Sequence, residues 1–446
     1  MLEQLDIELV RYIIRKARKE LGLRQKDIED GLISSASISN VERGEEVRPE
    51  TFDYLLKKLG IDSKTQLPQM IQEEEKKIEV LKFHLESIET MLENGDLSTG
   101  IDKLNQISME DFHPLSVYYS YLKALYHHEL KEWKKAEKNF DTAIRHCNHY
   151  SLRPKDNIIA VCYNKMSTCK YNQGNLKEAL DYVEQGLNAV DEGLERNDIK
   201  YHLLSNQIIY LLKSSQSDQA SQILLEVWPF MPKIDRIPIR LDLYKSRSII
   251  LRGRKLNEEA IQYCEAGIQL ARKNNILNRY LDLLNVLGSI YIQMKEYDQA
   301  LLRFQTAIDL DKEEKYPRRH LDTNIYLGIL YSYQDQWERS IKHLTKAIGI
   351  GREIPDIFRL TKALIVMGDI YFRQNQFEQA VPYYQEASFL TEKHNYRHRQ
   401  YTALLQLSIC FDMIDKKDDS NKCMTALRDL LFDLKITTEG DEFYGI

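Results

Sequence analysis

Residues 287–307 read LGSIYIQMKEYDQALLRFQTA, with small residues at Gly288 and Ala300. The pairing recurs along the chain. Ala220, Ala260, Ala300, Ser340, Ala380 and Ser420 stand 40 residues apart, and Ser248, Gly288, Gly328 and Gly368 lie 12 positions before four of them. Two small residues in each copy allow the helices of a hairpin to approach near the short end of the ~8–10 Å interaxial range. A repeat of this length makes a stacked helical array whose single units cannot bury their apolar faces alone. Function is therefore expected on the array's inner surface or on what is attached to it.

Neighbouring copies carry the same large and small positions. Leu327-Gly328, Tyr331, Ser340 and Ala347 form one, and Gly368, Tyr371, Ala380, Tyr384 and Ala387 the next. Ala136, Phe140 and Ala143, then Ala179 with Gly186, extend the series upstream at spacings of 43 and 41. Ser408, Phe411 and Ser420 make a weaker last copy, and Leu92 to Ile107 a degenerate first one. The pattern resembles tetratricopeptide repeats over about residues 110–435, although the period is longer than the ~34 residues usual there. The extra residues amount to roughly a turn and a half of helix per hairpin at ~1.5 Å rise per residue, so longer helices and a deeper groove are expected. The aromatic stripe of Tyr291, Phe304, Tyr331, Tyr371 and Tyr384 reads as packing.

The 446 residues suit a small domain plus a repeat array, and a net charge of −6 argues against binding nucleic acid over the whole surface. Cys147, Cys162, Cys169, Cys264, Cys410 and Cys423 include no C-x-x-C and no zinc spacing, so reduced core thiols are expected. Met1 to Val10 has no apolar signal core and no stretch has the ~18 apolar residues of a membrane span, which suggests a cytoplasmic protein. His127, His128 and His146 read as solvated helix-surface residues. No phosphate loop, G-x-S-x-G or H-E-x-x-H is present, so no catalytic residue, metal or cofactor is expected.

Residues 1–65 read as a separate head, close to charge-neutral. Ile7 to Leu21 is an amphipathic helix with Ile7, Val10, Ile13, Ile14, Ala17 and Leu21 inward and Arg11, Arg15, Lys16, Arg18 and Lys19 on its other face. Leu23 to Ile28 forms a short second helix, and Ile33 to Gly44 holds a serine-rich third one. Pro49-Glu50-Thr51 opens a fourth, with Phe52, Leu55, Leu56 and Leu59 inward. Ser34 or Ser35 can cap the third helix, Gly44 can end it, and Ile38 and Val41 can anchor it. The run Leu23–Gly44 resembles the Xre-type helix-turn-helix. That resemblance implies double-stranded DNA binding through Arg24, Gln25, Ser34, Ser35, Ser37, Ser39, Asn40, Arg43 and Arg48. Against it stand the near-neutral head and the acidic pair Glu45-Glu46.

Residues 66–109 hold a charged amphipathic connector, in which Glu73-Glu74-Glu75 reads as a solvated face, and the degenerate repeat. Residues 110–436 form the array and 437–446 an acidic tail. The fold class expected is all-α, a helix-turn-helix followed by a right-handed tetratricopeptide superhelix. This order of head and repeats is similar to the RNPP family of Gram-positive bacteria, nearest to its NprR and PlcR types. The resemblance implies a homodimeric quorum-sensing regulator whose DNA binding is switched by a short signalling oligopeptide in the groove. Asn164, Asn206, Asn285 and Asn324 on first helices would hold the peptide backbone, with Tyr171, Lys245 and Arg252 nearby. The rival readings are a protein-interaction scaffold without DNA binding and a Rap-like regulator of a response-regulator protein.

Overall fold

The computed structural model describes residues 7–434 apart from 46, 151, 153, 155 and 355. The acidic segment 437–446, Glu46 and the side chain of Ile7 lie outside the described residues. The described chain is helical throughout, with one isolated bridge between Asp156 and Glu195. No described helix is long and apolar enough to cross a membrane. Two compact units form, Met1–Lys170 with Asp181–Ile199 and Tyr171–Leu180 with Lys200–Ile446.

The first unit opens with α1 (Ile7–Glu20), α2 (Gln25–Ile28), α3 (Ser35–Arg43) and α4 (Pro49–Lys58). Ser34 is the cap of α3, its Oγ accepting the Ser37 amide at 3.1 Å. Gly44 ends the helix at φ 72°, a left-handed conformation that costs glycine little. Ile13, Ile14, Ile38, Leu55 and Leu56 make the head's core, which continues into Leu67 and Ile71 at the start of α5 (Gln66–Glu93) and into Phe112. Leu21, expected inward, is exposed. Further along α5, Leu85, Ile88 and Leu92 are buried, and α6 (Leu97–Asn105) brings Gly100 against Leu92. Then come α7 (Ser116–Glu129), α8 (Trp133–His149), α9 (Ile158–Asn172) and α10 (Leu176–Asn188); the end of α9 and the start of α10 belong to the second unit.

The second unit contains α11 (Ile199–Lys213), α12 (Ser217–Val227), α13 (Ile237–Gly253), α14 (Asn257–Lys273), α15 (Leu277–Gln293) and α16 (Tyr297–Leu310). It continues through α17 (Pro317–Tyr333), α18 (Trp337–Glu353), α19 (Ile357–Arg373), α20 (Phe377–Lys393), α21 (Arg397–Met413) and α22 (Lys417–Leu434). Most of these helices have 17 residues and the turns within hairpins three, which accounts for the 40-residue period. The middle turn residue is left-handed in each copy: Ser215, Lys255, Lys295, Asp335, Asn375 and Asp415 have φ of 57–63°.

The small residues do what their spacing implied. A Cβ added at Gly288 would lie 2.4 Å from the Phe304 ring, at Gly328 2.6 Å from Leu344, and at Gly368 2.6 Å from Tyr384. Ser340, which replaces alanine in its copy, donates its hydroxyl to the Gly328 carbonyl at 2.7 Å. Phe304 and Tyr384 are fully buried, while Tyr291, Tyr331 and Tyr371 pack half-buried beside the core. Gly328→Ala should therefore overpack the hairpin. The helix-propensity gain of up to ~1 kcal/mol is outweighed by a packing cost of about 1–3 kcal/mol. A lowered thermal midpoint is the expected readout, and a raised one would mean that the hairpin can open without cost.

Candidate functional site

On α3, the side opposite the buried Ile38 carries Ala36, Asn40 and Arg43, with Ser37 and Ser39 flanking it. Ser35, Ser37, Ser39 and Asn40 are half-buried; Arg43, Arg24 and Arg48 are exposed. Several of these groups already have partners within the head. Arg43 Nη2 donates to Asn40 Oδ1 at 2.8 Å and its Nε pairs with Glu45 at 3.2 Å. The Ser34 and Ser37 hydroxyls are 3.0 Å apart, and Arg24 pairs with Asp27 at 3.1 Å. Gln25 does not face outward as a reader, because its Nε2 donates to Glu42 Oε2 at 2.9 Å.

The basic stripe of α1 is not a phosphate-facing surface. Arg18 is buried and forks onto the buried Glu42 carboxylate, Nε to Oε1 and Nη2 to Oε2 at 2.9 Å. Arg11 is buried and donates to the Arg43 carbonyl at 2.9 Å. Arg15 lies 3.5 Å from Glu42 and over the rings of Phe112 and Tyr150. Lys19 sits 4.5 Å from the Phe112 centroid, and Lys16 pairs at 2.8 Å with Glu74, which is buried rather than solvated. These cations tie the third helix to the first, and the head to the connector and first repeats.

In the second unit a groove of about 1360 Å³ runs along the first helices of the hairpins, larger than the ~300–1,000 Å³ of small-molecule sites. Ile249 and Arg252 of α13, Ser289 and Ile292 of α15, and Tyr326 and Ile329 of α17 line it, followed by Lys362 and Ile365 of α19 and Arg399 of α21. Beside it, Tyr171, Lys213, Asp356 and Phe358 enclose a small cavity of about 40 Å³. Tyr171 stacks on Tyr210 with centroids 5.0 Å apart.

An ion-pair ladder joins successive first helices below the groove. Asp242 pairs with Arg279 at 2.8 Å, Asp282 with Arg319 at 3.0 Å and Asp322 with Arg359 at 2.7 Å. Lys245, expected near a peptide, is part of this ladder, 3.4 Å from Asp242 and 3.9 Å from Asp282. Burial alone would raise the Asp282 pKa, but Lys245, Arg319 and Arg279 together hold it down at about 2.

The asparagines are not gathered in one place. Asn324 turns away from the groove toward α18, where its Oδ1 meets His343 at 2.9 Å and its Nδ2 donates to the His320 carbonyl at 2.8 Å. Asn285 is 3% exposed; its Oδ1 accepts from Thr323 at 2.9 Å and its Nδ2 donates to the Arg319 carbonyl at 3.4 Å. Neither amide is offered to a peptide. Asn206 is half-buried on α11, and Asn164 is buried in the first unit. Of the residues named from sequence, only Arg252 lies in the groove wall. Lys362, Tyr326 and Arg399 were missed, yet the ladder that frames them was legible in the 40-residue spacing of Asp242, Asp282 and Asp322. His128, expected in solvent, is half-buried, with Nε2 2.9 Å from Thr168 Oγ1.

Asp369 of α19 titrates in the opposite sense to Asp282. It is buried, accepts the Tyr384 hydroxyl at 2.6 Å, and is pushed up to about 7 by burial. A carboxyl raised above its unfolded value of ~3.9 stabilises the fold below that pH and loses the contribution as pH rises through its folded value. The wild-type midpoint should fall between about pH 4 and 7 and level off above, and Asp369→Asn should recover about 1–3 kcal/mol at pH 8. Parallel melting curves for the two proteins across this range would contradict the assignment.

A helix-turn-helix family model matches residues 14–64, and tetratricopeptide-repeat models match 115–192, 283–316 and 320–393. No curated protein matches the chain in sequence. A Rap protein complexed with competence and sporulation factor matches at 14% identity over 80% of this chain and 99% of that one, with a TM-score of 0.60. The apo quorum sensor NprR from B. thuringiensis matches at 15% identity over 74% and 94%, with a TM-score of 0.55. NprR with its cognate peptide NprX matches at 15% over 74% and 95%, TM-score 0.51. The chain has the Rap and NprR fold. The family models give a helix-turn-helix head followed by tetratricopeptide repeats.

Proposed function

We propose that this chain is a transcriptional regulator that binds operator DNA through α3 and is switched by a short peptide in the groove of its repeats. One observation carries the reading: a groove of about 1360 Å³ walled by successive first helices, in a chain whose head is built into the same unit as its first repeats. An extended peptide satisfies a long groove, because each wall helix meets one segment of it. The solved relatives that share the fold include a quorum sensor with its cognate peptide, which supports the same use here.

Asn40 and the flanking Ser37, Ser39 and Ser35 are the base-facing groups of this reading, with Arg43, Arg48 and Arg24 at phosphates. A homodimer would present two heads to half-sites ~34 Å apart or a multiple of that. Peptide binding would act on the head through α5 and the contact of Tyr12, Arg15 and Lys19 with Phe112, His113 and Tyr150. The rival, regulation of a partner protein through the head, is favoured by the burial of α1's cations and by the Arg43–Glu45 pair.

Fluorescence anisotropy on fragments tiling the chain's own genomic neighbourhood separates the two. A bound operator is expected, and Asn40→Ala should weaken it by ~1–3 kcal/mol while leaving random DNA unchanged. Absence of binding to every fragment would favour the partner-protein reading.

A further inference from the structure

The groove is far more basic than the chain that forms it. Among the described residues its walls carry ten lysines and arginines and one acid, Asp218, which pairs with Arg254 at 3.2 Å, whereas the whole chain has a net charge of −6. Two of these cations are almost fully buried. Arg252 is 8% exposed and donates to Ser289 Oγ; Lys362 is 7% exposed and donates to the Tyr326 hydroxyl at 3.3 Å. No carboxylate pairs with either among the described residues. Asp322 acts on Lys362 only through space, since it pairs with Arg359 at 2.7 Å, and a hydroxyl partner does not repay the lost hydration of a buried cation.

The ion-pair ladder changes sign at the same place. Asp242, Asp282 and Asp322 recur every 40 residues, each facing an arginine 37 positions on. The next pair in the series is Lys362 and Arg399, so lysine stands where the repeat has aspartate. Arg399 turns instead to the Phe358 carbonyl and ring, 3.5 Å from the ring centroid. The Lys362 ammonium lies 4.4 Å from the Tyr326 ring centroid, and burial lowers its pKa.

We infer that the groove selects an anionic peptide, with one peptide carboxylate seated between Arg252 and Lys362, the two buried cations of its wall. This deepens the peptide-receptor reading and rests on it. Ile249, Ile292, Ile329 and Ile365 along the same walls provide for aliphatic side chains between the charges, which favours a peptide over a nucleic acid.

The test uses the full-length protein and fluorescent hexapeptide pools that are acidic, neutral or basic, each with a free or an amidated C-terminus. The acidic pools should bind at least roughly tenfold tighter than the basic ones, about 1.4 kcal/mol, and lose affinity as salt rises. Loss on amidation would assign the carboxylate to the C-terminus; retention would assign it to a side chain. Lys362→Gln and Arg252→Gln should each abolish the preference. Lys362→Asp should abolish it too, because it replaces one of the two wall cations with a carboxylate. Equal or tighter binding of basic pools would overturn the charge inference and leave the peptide reading standing. No binding of any pool would overturn the peptide reading itself. A dT oligonucleotide that displaced the acidic pools at equal concentration would point to a nucleic-acid groove instead.

Discussion

Glu42→Ala should cost the head about 3–5 kcal/mol and with it any DNA binding, because it leaves buried cations without their counter-charge. The Glu42 carboxylate is nearly fully buried and receives two bonds from Arg18 and one from Gln25, with Arg15 at 3.5 Å. Among the described residues it is the one anion holding the C-terminal end of α3 to α1 and α2. Truncating it leaves Arg18 buried with only the Leu23 carbonyl, 2.7 Å from Nη1. Glu42→Gln keeps the shape and should lose less, so the two variants separate charge from volume. Urea unfolding of both, with the head's protease sensitivity measured alongside, is the check. An alanine variant within ~0.5 kcal/mol of wild type would show that Ile38, Val41 and the Arg11 bond to the Arg43 carbonyl hold α3 without Glu42.

Asp282→Ala should be comparably severe in the repeats, again about 3–5 kcal/mol. Its carboxylate is buried and lies within 4.0 Å of Arg319, Arg279 and Lys245, so one deletion exposes three cations to each other. Because its pKa is held near 2, the contribution is complete above the unfolded value of ~3.9 and disappears as pH falls toward the folded one. The difference in stability between wild type and variant should therefore hold steady at neutral pH and narrow from pH 4 downward. A difference that grew on acidification would reverse the sign of the coupling and contradict the ladder.

Much of the fold was legible because its determinants are one-dimensional. Gly288, Gly328 and Gly368 with Ala300, Ser340 and Ala380 state a close helix–helix approach in their spacing, and Ser34 and Gly44 state the ends of α3. The site was less legible because a periodic face does not name its neighbour. Arg11, Arg15 and Arg18 look like a solvent stripe until α3 supplies Glu42 and the Arg43 carbonyl, and until Phe112 and Tyr150 lie beneath Arg15. Asn324 and Asn285 are both on first helices, but a rotation of one residue decides whether an amide meets the groove, α18 or the next helix. The ladder was readable in principle. Asp242, Asp282 and Asp322 repeat as regularly as the alanines, and the substitution of Lys362 marks the place where the pattern changes sign.

The central claim, that occupancy of the groove alters the head's hold on DNA, is tested most directly by titrating one operator fragment with full-length protein, with and without a saturating groove peptide. A ligand shifts the equilibrium only through different affinities for the two states, so a real switch must change the DNA dissociation constant, by roughly 5–150-fold for ordinary couplings. The account predicts such a change in wild type and its loss in Lys362→Asp, which should bind DNA but no longer respond. Identical DNA affinity with the groove empty and filled would contradict it.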